Sequence, residues 1–469
     1  MDIKERVKLI KSFVDADLPC WSSLKCEYDK KLHDIHTSSK FRDVPLENRL
    51  IVDFGAQRLM CDRMVQMMNT IPIERVYEVG DDERLERVKN IIEAVYHDNK
   101  IDAINNLRLH AYFASCEVAT MWTGEEETHD RYGETCHTRL RMITSSPMER
   151  KYSSLNQANF YPQFDDYGGM IGFGIGGIVD GVEYLNFYTD KEIEKYERRN
   201  GEWTSEVVAN PIGKIPFAYM YRMSPIYEGQ SANVDVIETV ESSQSQVIKR
   251  NSAPVLVINT DDPNMFDWAK SEMMEGEKKV GTSREILLVT GQGDARFVDT
   301  PINADAPEKL MKRIMGLIEQ ESQLPLDLSL ERFQGLGNAS GESFKQVMVG
   351  AHLKVGQEQG NVIEFLDREL RIVKSLLAEA FPEYKDDILN IKVEHKITPF
   401  TMDDEDSDLN RKLLKLNNGL ISRREIMRQE GVYNPDALLD EYKEEEIEIQ
   451  EGRNYAGAGN YLGDGWDNL

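Results

Sequence analysis

The sequence predicts an α+β chain, mainly helical and built of several units, and three observations carry that reading. The 469 residues exceed one ordinary domain, which holds about 150. Apolar residues at Phe344, Val347, Met348, Val355, Ile363, Leu366, Leu370, Val373 and Leu377 keep helical spacing from Gly341 to Ala380. At 1.5 Å per residue that is roughly 60 Å of helix. From Leu140 onward the pattern turns to alternation, and Asp180-Gly181 sits between two strand-like runs, the strongest short-range hairpin signal in the chain.

Taken in order, Leu50, Ile51, Phe54, Leu59 and Met60 recur near helical spacing, and Leu85, Val88, Ile91, Ile92 and Val95 do so more clearly. A third helix is expected from Ile101 to about Met121. After an irregular polar stretch, Leu140, Met142 and Thr144 alternate as a half-buried strand does. Beyond the Asp180-Gly181 hairpin, Thr189 is expected to cap a helix, with Glu192 completing a capping box. A helix-compatible segment runs from Ser231 to Arg250, but its second half, Ser-Ser-Gln-Ser-Gln, offers almost nothing apolar to a core, so it needs close neighbours.

Pro254 ends that helix; Val255–Asn259 reads as a buried strand, Asn264–Glu277 as a short helix and Glu285–Thr290 as another strand, together a compact α/β insertion. A helix resumes at Pro307, with Leu310, Ile314, Leu317 and Ile318 on one face and Pro325 past its end. The glycine-bearing loop from Leu324 to the Ser340 cap is long enough to suggest functional use. The long helix follows, with Gly350, Gly356 and Gly360 as sites for a kink, and then a strand over residues 388–397. Residues 401–450 carry 14 acidic and 7 basic side chains, net −7, on short helices punctuated by Asn417-Asn418-Gly419, a Ser422/Glu425 capping box and Asn434-Pro435. The tail after Gly452, rich in Gly and Asn, reads as disordered.

Composition removes several functions. With 83 acidic and 56 basic side chains the net charge is −27, which repels DNA phosphates unless cations are locally gathered. No run of 18 apolar residues and no signal-peptide pattern occurs, so a chain made in the cytosol, with no membrane partner, is expected. Cys20, Cys26, Cys61, Cys116 and Cys136 are scattered without a CxxC pair and read as reduced thiols; the histidines form no ligand spacing, so no metal and no cofactor are expected. Gly172-Phe173-Gly174-Ile175-Gly176-Gly177 satisfies GxGxxG in form. A phosphate cradle needs a helix directly after the glycines, whereas here a hairpin continues. No phosphate-loop, zinc-helix or nucleophile-elbow motif is present.

The order of these parts resembles the portal proteins of tailed bacteriophages, in the branch with an extended N-terminal wing. The resemblance runs from about residue 45 to about residue 445. It rests on Asn48–Met60 as an early helix, Arg139–Tyr152 and Asn159–Asp166 ahead of a hairpin, and Ile178–Glu197 as that hairpin. It continues through the Asn210-x-x-Gly213-x-Ile215-Pro216-Phe217 turn, Ser231–Asn259, Ala295–Pro301, Lys309–Leu328, Asn338–Gly350 and Asn417–Gln429.

The resemblance implies a portal-type fold assembled as a ring: wing at 1–230, stem helix at 231–253, clip at 254–305, stem helix at 306–322, tunnel loop at 323–340, long helix and returning wing strand at 341–400, crown at 401–450, tail at 451–469. It implies a non-enzymatic dodecamer in the virion, at one vertex of the capsid, through which a separate terminase large subunit drives double-stranded DNA. Head-completion or neck adaptor, major capsid and scaffolding proteins are the other partners implied, with synthesis in the bacterial host cytoplasm. Candidate DNA-tunnel residues are Lys249, Arg250, Lys312 and Arg313 in the stem and Glu331, Arg332, Gln334 and Asn338 in the loop. A different capsid or connector component, or a nucleotide-dependent enzyme using Gly172 to Gly177, remain as the other readings.

Overall fold

The computed structural model describes residues 2–13, 18–37, 50–80, 82–124, 130–131, 134–135, 140–148, 158–251, 255–259, 264, 286–289, 294–298, 305–327, 341–400, 412–429, 438–439 and 442. The chain divides into two units, one of residues 1–329 with 347–400, the other of residues 330–346 with 401–469.

The first unit mixes helix and strand, as the α+β prediction requires. It begins with α1 (Ile3–Lys11), α2 (Trp21–Tyr28), α3 (Ala56–Asn69), β1 (Glu74–Tyr77), α4 (Glu83–Asp98) and α5 (Ile101–Ser115). Helical spacing at Leu50, Ile51 and Phe54 does not become helix: α3 starts only at Ala56, and residues 50–54 run extended. The third helix also stops short of Met121. Cys116 takes a left-handed backbone (φ 67°) that ends it, and Val118, Thr120 and Trp122, all strand formers, enter β2 (Glu117–Gly124).

The small hairpin of β3 (Asp130–Arg131) and β4 (Glu134–Thr135) precedes β5 (Leu140–Ser145). A five-stranded antiparallel meander follows: β6 (Asn159–Phe164), β7 (Met170–Val179), β8 (Val182–Tyr188), β9 (Glu192–Arg199) and β10 (Glu202–Ala209). Asp180 (φ 50°) and Gly181 (φ 79°) form the expected two-residue turn, with Val179 opposite Val182. Asn200 and Gly201 repeat it at φ 52° and 85° between β9 and β10.

That second turn overturns the helix expected after Thr189. The Thr189 hydroxyl does accept from the amides of Lys191 and Glu192, at 3.3 and 3.0 Å, but it closes a turn between strands. A side chain satisfies local amides equally in a cap and in a turn, and the strand alternation beyond decides which forms.

Strand β11 (Phe217–Tyr221) joins β2 and β5 in a three-stranded sheet, order β11-β2-β5. One face of the meander packs on this sheet through Phe160, Phe173, Ile175, Phe217 and Tyr219, with the Phe173 and Phe217 rings stacked at 4.5 Å. Its other face receives α1, whose Val7 and Ile10 meet Tyr161, Leu185, Phe187 and Tyr196.

Next come α6 (Ser231–Asn251), then β12 (Val255–Asn259), β13 (Ile286–Val289) and β14 (Asp294–Val298) in the order β13-β12-β14, then α7 (Asp305–Ser322). Strand β12 pairs parallel with β13 and antiparallel with β14; the parallel pair needs a crossover between its strands. The helix expected there lies outside the described residues except for Asn264. Helix α8 (Gly341–Ala380) runs 40 residues without interruption at Gly350, Gly356 or Gly360. Residues 388–390, expected in a strand, close the short helix α9 (Lys385–Asn390), and only β15 (Val393–Lys396) is extended, pairing antiparallel with β1.

Large, fully buried side chains meet where α5, β2 and α8 come together, among them Arg108, Trp122 and Glu369. Arg108 of α5 forms a two-point ion pair with Glu369 of α8, at 2.7 and 3.0 Å, and Trp122 of β2 donates to the same carboxylate at 3.0 Å. Both charged side chains are 1% exposed. In the second unit, the described turns are a helix at 412–417, a stop at Gly419 (φ 69°), and a helix at Arg423–Gln429 whose Ser422 hydroxyl accepts from the Glu425 amide. The start expected at Asn434-Pro435 and the tail lie outside the described residues.

Arg108→Met leaves the Glu369 carboxylate buried without its cation and is expected to cost about 3–5 kcal/mol in chemical denaturation, whereas Arg108→Met with Glu369→Leu should recover most of that loss.

Candidate functional site

The elements that could serve a channel are α6, α7 and the segment after them. Gln230, just before α6, donates to Glu321 near the end of α7 at 2.9 Å, so the two helices pack antiparallel. Val234, Ile237, Ile314 and Ile318 are buried, while Val236, Val247, Ile248, Leu310 and Leu317 stay exposed. The single apolar face expected on α7 is thus split between buried and exposed positions.

The polar side chains of α6 do not simply face water. Ser231, Glu238, Ser242 and Gln246 recur at steps of seven, four and four residues along one stripe. Ser231 donates to Glu27 at 2.7 Å. Glu238 accepts from the Phe54 amide at 2.8 Å and pairs with His33 at 2.6 Å; Ser242 accepts from the Val52 amide at 2.9 Å; Gln246 donates to the Leu50 carbonyl at 3.3 Å. Residues 50–54 therefore lie along α6 as a strap. No sequence signal pairs His33 with a residue more than 200 positions away, and the sequence reading missed both.

His33 is buried beside Glu238, and its second nitrogen meets the Glu27 carbonyl at 2.8 Å. Burial works against its protonation, but the hydrogen bonds to Glu238 and Glu27 and the charges of Glu238 and Asp53 prevail and raise its pKa.

Of the candidate tunnel residues, Lys249 is exposed near the end of α6; Lys312 and Arg313 are exposed on α7, with Lys312 bonded to Glu308 at 2.8 Å one turn away. Arg250 lies within α6, its side chain not described. Glu331, Arg332, Gln334 and Asn338 lie outside the described residues. The start of their loop is anchored: Gln323 turns the chain at φ 60°, Glu319 accepts from the amides of Leu326 and Asp327 at 2.8 and 3.0 Å, and Leu324 and Leu326 are buried. Gly350 of α8 admits this turn, since a Cβ there would stand 3.2 Å from the Gln323 carbonyl oxygen.

The Gly172 to Gly177 run belongs to β7, inside the meander. Its alternate glycines face α1. A Cβ on Gly174 would lie 2.9 Å from the Tyr161 Cβ and 3.2 Å from Ile10, and one on Gly172 would collide with the Phe187 ring. Phe173 and Ile175 fill the opposite face. The period is two, the period of a strand, and the glycines make room for aromatic rings where a nucleotide-dependent enzyme would need a phosphate.

A family model described as phage portal protein, SPP1 Gp6-like, matches residues 10–452. The chain belongs to this family. Among curated proteins none matches it. A chain in the virion of a native gene transfer agent particle is 11% identical, with 80% of this chain and 88% of that one covered and a TM-score of 0.35. Chains from the neck of an empty such particle, computed with C6 symmetry, and of a native one, computed with C12 symmetry, are 12% and 11% identical. They cover 80% and 79% of this chain and 89% of each of those chains, again with TM-scores of 0.35. These likenesses are distant, and the assignment rests on the family model.

As a portal protein the chain is a structural component of the channel at a capsid vertex. The contacts of α6 with His33 and the strap carry a first test. With the folded pKa of His33 raised, its contribution is full below the ordinary histidine value of about 6.5 and is lost as pH climbs through the folded value. The gap in melting temperature between the native chain and His33→Gln should therefore narrow from about pH 6 to about pH 9. The glycine strand carries the second: Gly174→Val should lower the melting temperature, because Tyr161 and Ile10 cannot yield, while calorimetry with ATP or NAD stays flat for the native protein.

Proposed function

We propose that twelve copies close into a ring that passes double-stranded DNA into and out of the capsid. A terminase large subunit supplies the ATP-driven force, and a head-completion or neck adaptor docks on the ring. The major capsid and scaffolding proteins surround it, and the chain itself, made in the host bacterial cytoplasm, catalyses nothing. The observation that carries this reading is the stem. Two antiparallel helices flank a small three-stranded insertion and leave Val236, Val247, Ile248, Leu310 and Leu317 exposed. A single chain leaves this apolar surface in water; neighbouring copies around a closed ring would cover it.

The same surface suits a conduit. Lys249, Lys312 and Arg313 add scattered cations to a chain of net charge −27, enough for passing contacts with phosphates and too few to hold a duplex in place. The loop carrying Glu331, Arg332, Gln334 and Asn338 follows the anchored turn at Gln323 and leads into α8; we place it at the tunnel wall.

Mass photometry of the purified chain should show a large closed oligomer. Ile248→Asp with Leu317→Asp should release folded monomers, and a native chain that stays monomeric at micromolar concentration would overturn the ring. Deleting Ser329 to Gly337 should leave ring size and melting temperature nearly unchanged while impairing DNA packaging or retention. A shortened ring that packages at the native rate would remove the loop from the tunnel.

A further inference from the structure

The meander ends in two edge strands, β6 and β10, and the two are built differently. Strand β6 carries Pro162, which has no amide to donate, and its register shifts between Gln163 and Phe164. Proline and a bulge are devices that keep an edge from pairing with a further strand. Strand β10 has neither. Its eight residues pair with β9 in unbroken register, from Glu202 opposite Arg199 to Ala209 opposite Glu192.

The ladder shows which backbone groups are left over. Just past the strand, the Asn210 amide donates to the Lys191 carbonyl at 2.8 Å, which makes these two residues a hydrogen-bonded pair. Such pairs alternate along an antiparallel ladder, so the even-numbered residues of β10 bond β9, while Trp203, Ser205 and Val207 turn their amides and carbonyls outward. Among the described residues, no backbone or side-chain group pairs with that outer side. Ser205 and Val207 are also exposed as side chains, Val207 to 58%.

Two features say what the edge takes. Outward amides and carbonyls at every second residue match the main chain of an extended strand. The outermost row of side chains then sets the chemistry: Glu202 and Glu206 share one face, and β10 holds no lysine or arginine. The nearest cations lie one strand inward, Lys195 at 3.8 Å from Glu206 and Arg199 bonded to Glu197 at 3.0 Å. On the other face Trp203 packs against the α1 cluster, and Val207 stands open beyond it. The complement is a strand with basic residues beside the glutamates and an apolar residue beside Val207.

A second copy of the chain does not supply that strand from its own meander. Its β6 edge is closed by Pro162 and the register shift. Two β10 edges meet about a two-fold axis and bring Glu202 and Glu206 of one copy beside those of the other, where like charges repel.

We propose that the outer edge of β10 is a strand-addition site for an extended segment of a different protein, one that alternates basic and apolar side chains. The segment bonds Trp203, Ser205 and Val207 through its main chain and sets its cations beside Glu202 and Glu206. The site stands on the meander alone, whether or not copies close into a ring.

The probe is a peptide of eight residues, the length of β10, alternating valine and lysine with blocked ends, and its binding to the full-length chain is followed by fluorescence anisotropy. Native chain should bind it saturably. Ser205→Pro removes an outward amide and no bond to β9, so circular dichroism should stay native while affinity falls at least about tenfold, the worth of one or two net hydrogen bonds. The same peptide methylated on its backbone nitrogens keeps its charges and loses its donors; it should bind native chain more weakly by a similar factor, an arm that needs no variant to fold. Equal affinity for native and Ser205→Pro chains, or for methylated and unmethylated peptides, would overturn the proposal, as would native chain that binds no peptide. If native assemblies double in mass photometry and Ser205→Pro abolishes the doubling, the edge belongs to a second copy, and the assignment to a different protein falls.

Discussion

A carboxylate and a guanidinium sealed from water between three elements set the geometry of the first unit. Arg108, Glu369 and Trp122 come from α5, α8 and β2, and each satisfies a group that would otherwise be buried at high cost. A two-point ion pair tolerates neither a one-residue slip of the long helix nor a rotation of α5, so it fixes register as well as contact. Around it the packing is apolar and aromatic: the Arg108 guanidinium lies over Phe365, and Tyr96 meets Trp122 edge-on. Once α8 is registered there, its far end delivers β15 to β1, and Arg84 ties α4 to Asp387 of α9 at 2.8 Å.

The same demand, that a buried polar group find a partner, explains how a polar helix stands in this fold. Helix α6 lacks the apolar stripe of an ordinary core helix, yet Glu238 and Ser242 are buried. The strap at 50–54 supplies the missing donors from its own backbone amides, and His33 supplies the counter-charge. The residual apolar groups of α6 and α7 then point elsewhere, which connects local satisfaction to the assembly proposed. A helix built wholly from apolar contacts within one chain would have had nothing left for neighbours.

What could be read in advance follows the range of the forces involved. The two-residue turn at Asp180-Gly181, the Ser422 cap, the length of α8 and the strand at Val255–Asn259 are set within a few residues, and each was legible. So was the turn at 210–217, where Asn210 donates to the carbonyls of Thr189 and Lys214, at 2.7 and 2.9 Å. The failures lie where one local pattern serves two structures. Thr189 and Glu192 satisfy a cap or a strand turn, and Leu50, Ile51 and Phe54 fit helical spacing as readily as an extended strap. Asn200-Gly201 was the available signal for the first case, since it turns β9 back into β10.

By itself the sequence determined the α+β class, the long helix, the hairpin at Asp180-Gly181 and the excess of negative charge, because periodicity, turn chemistry and composition are local or summed properties. It also carried the family, since the order of loose motifs survives where no single one is specific. Only the tertiary structure decided that Glu369 faces Arg108, that His33 reaches Glu238, and that the β7 glycines make room for Tyr161 and Phe187. It alone shows Arg368 on the Phe217 carbonyl, Lys374 on the Ile391 carbonyl and Lys214 on the Ser375 hydroxyl. Each of these depends on which side chains share a site after the chain has folded across some 13 to 261 residues of separation, and neither pattern nor propensity encodes that distance.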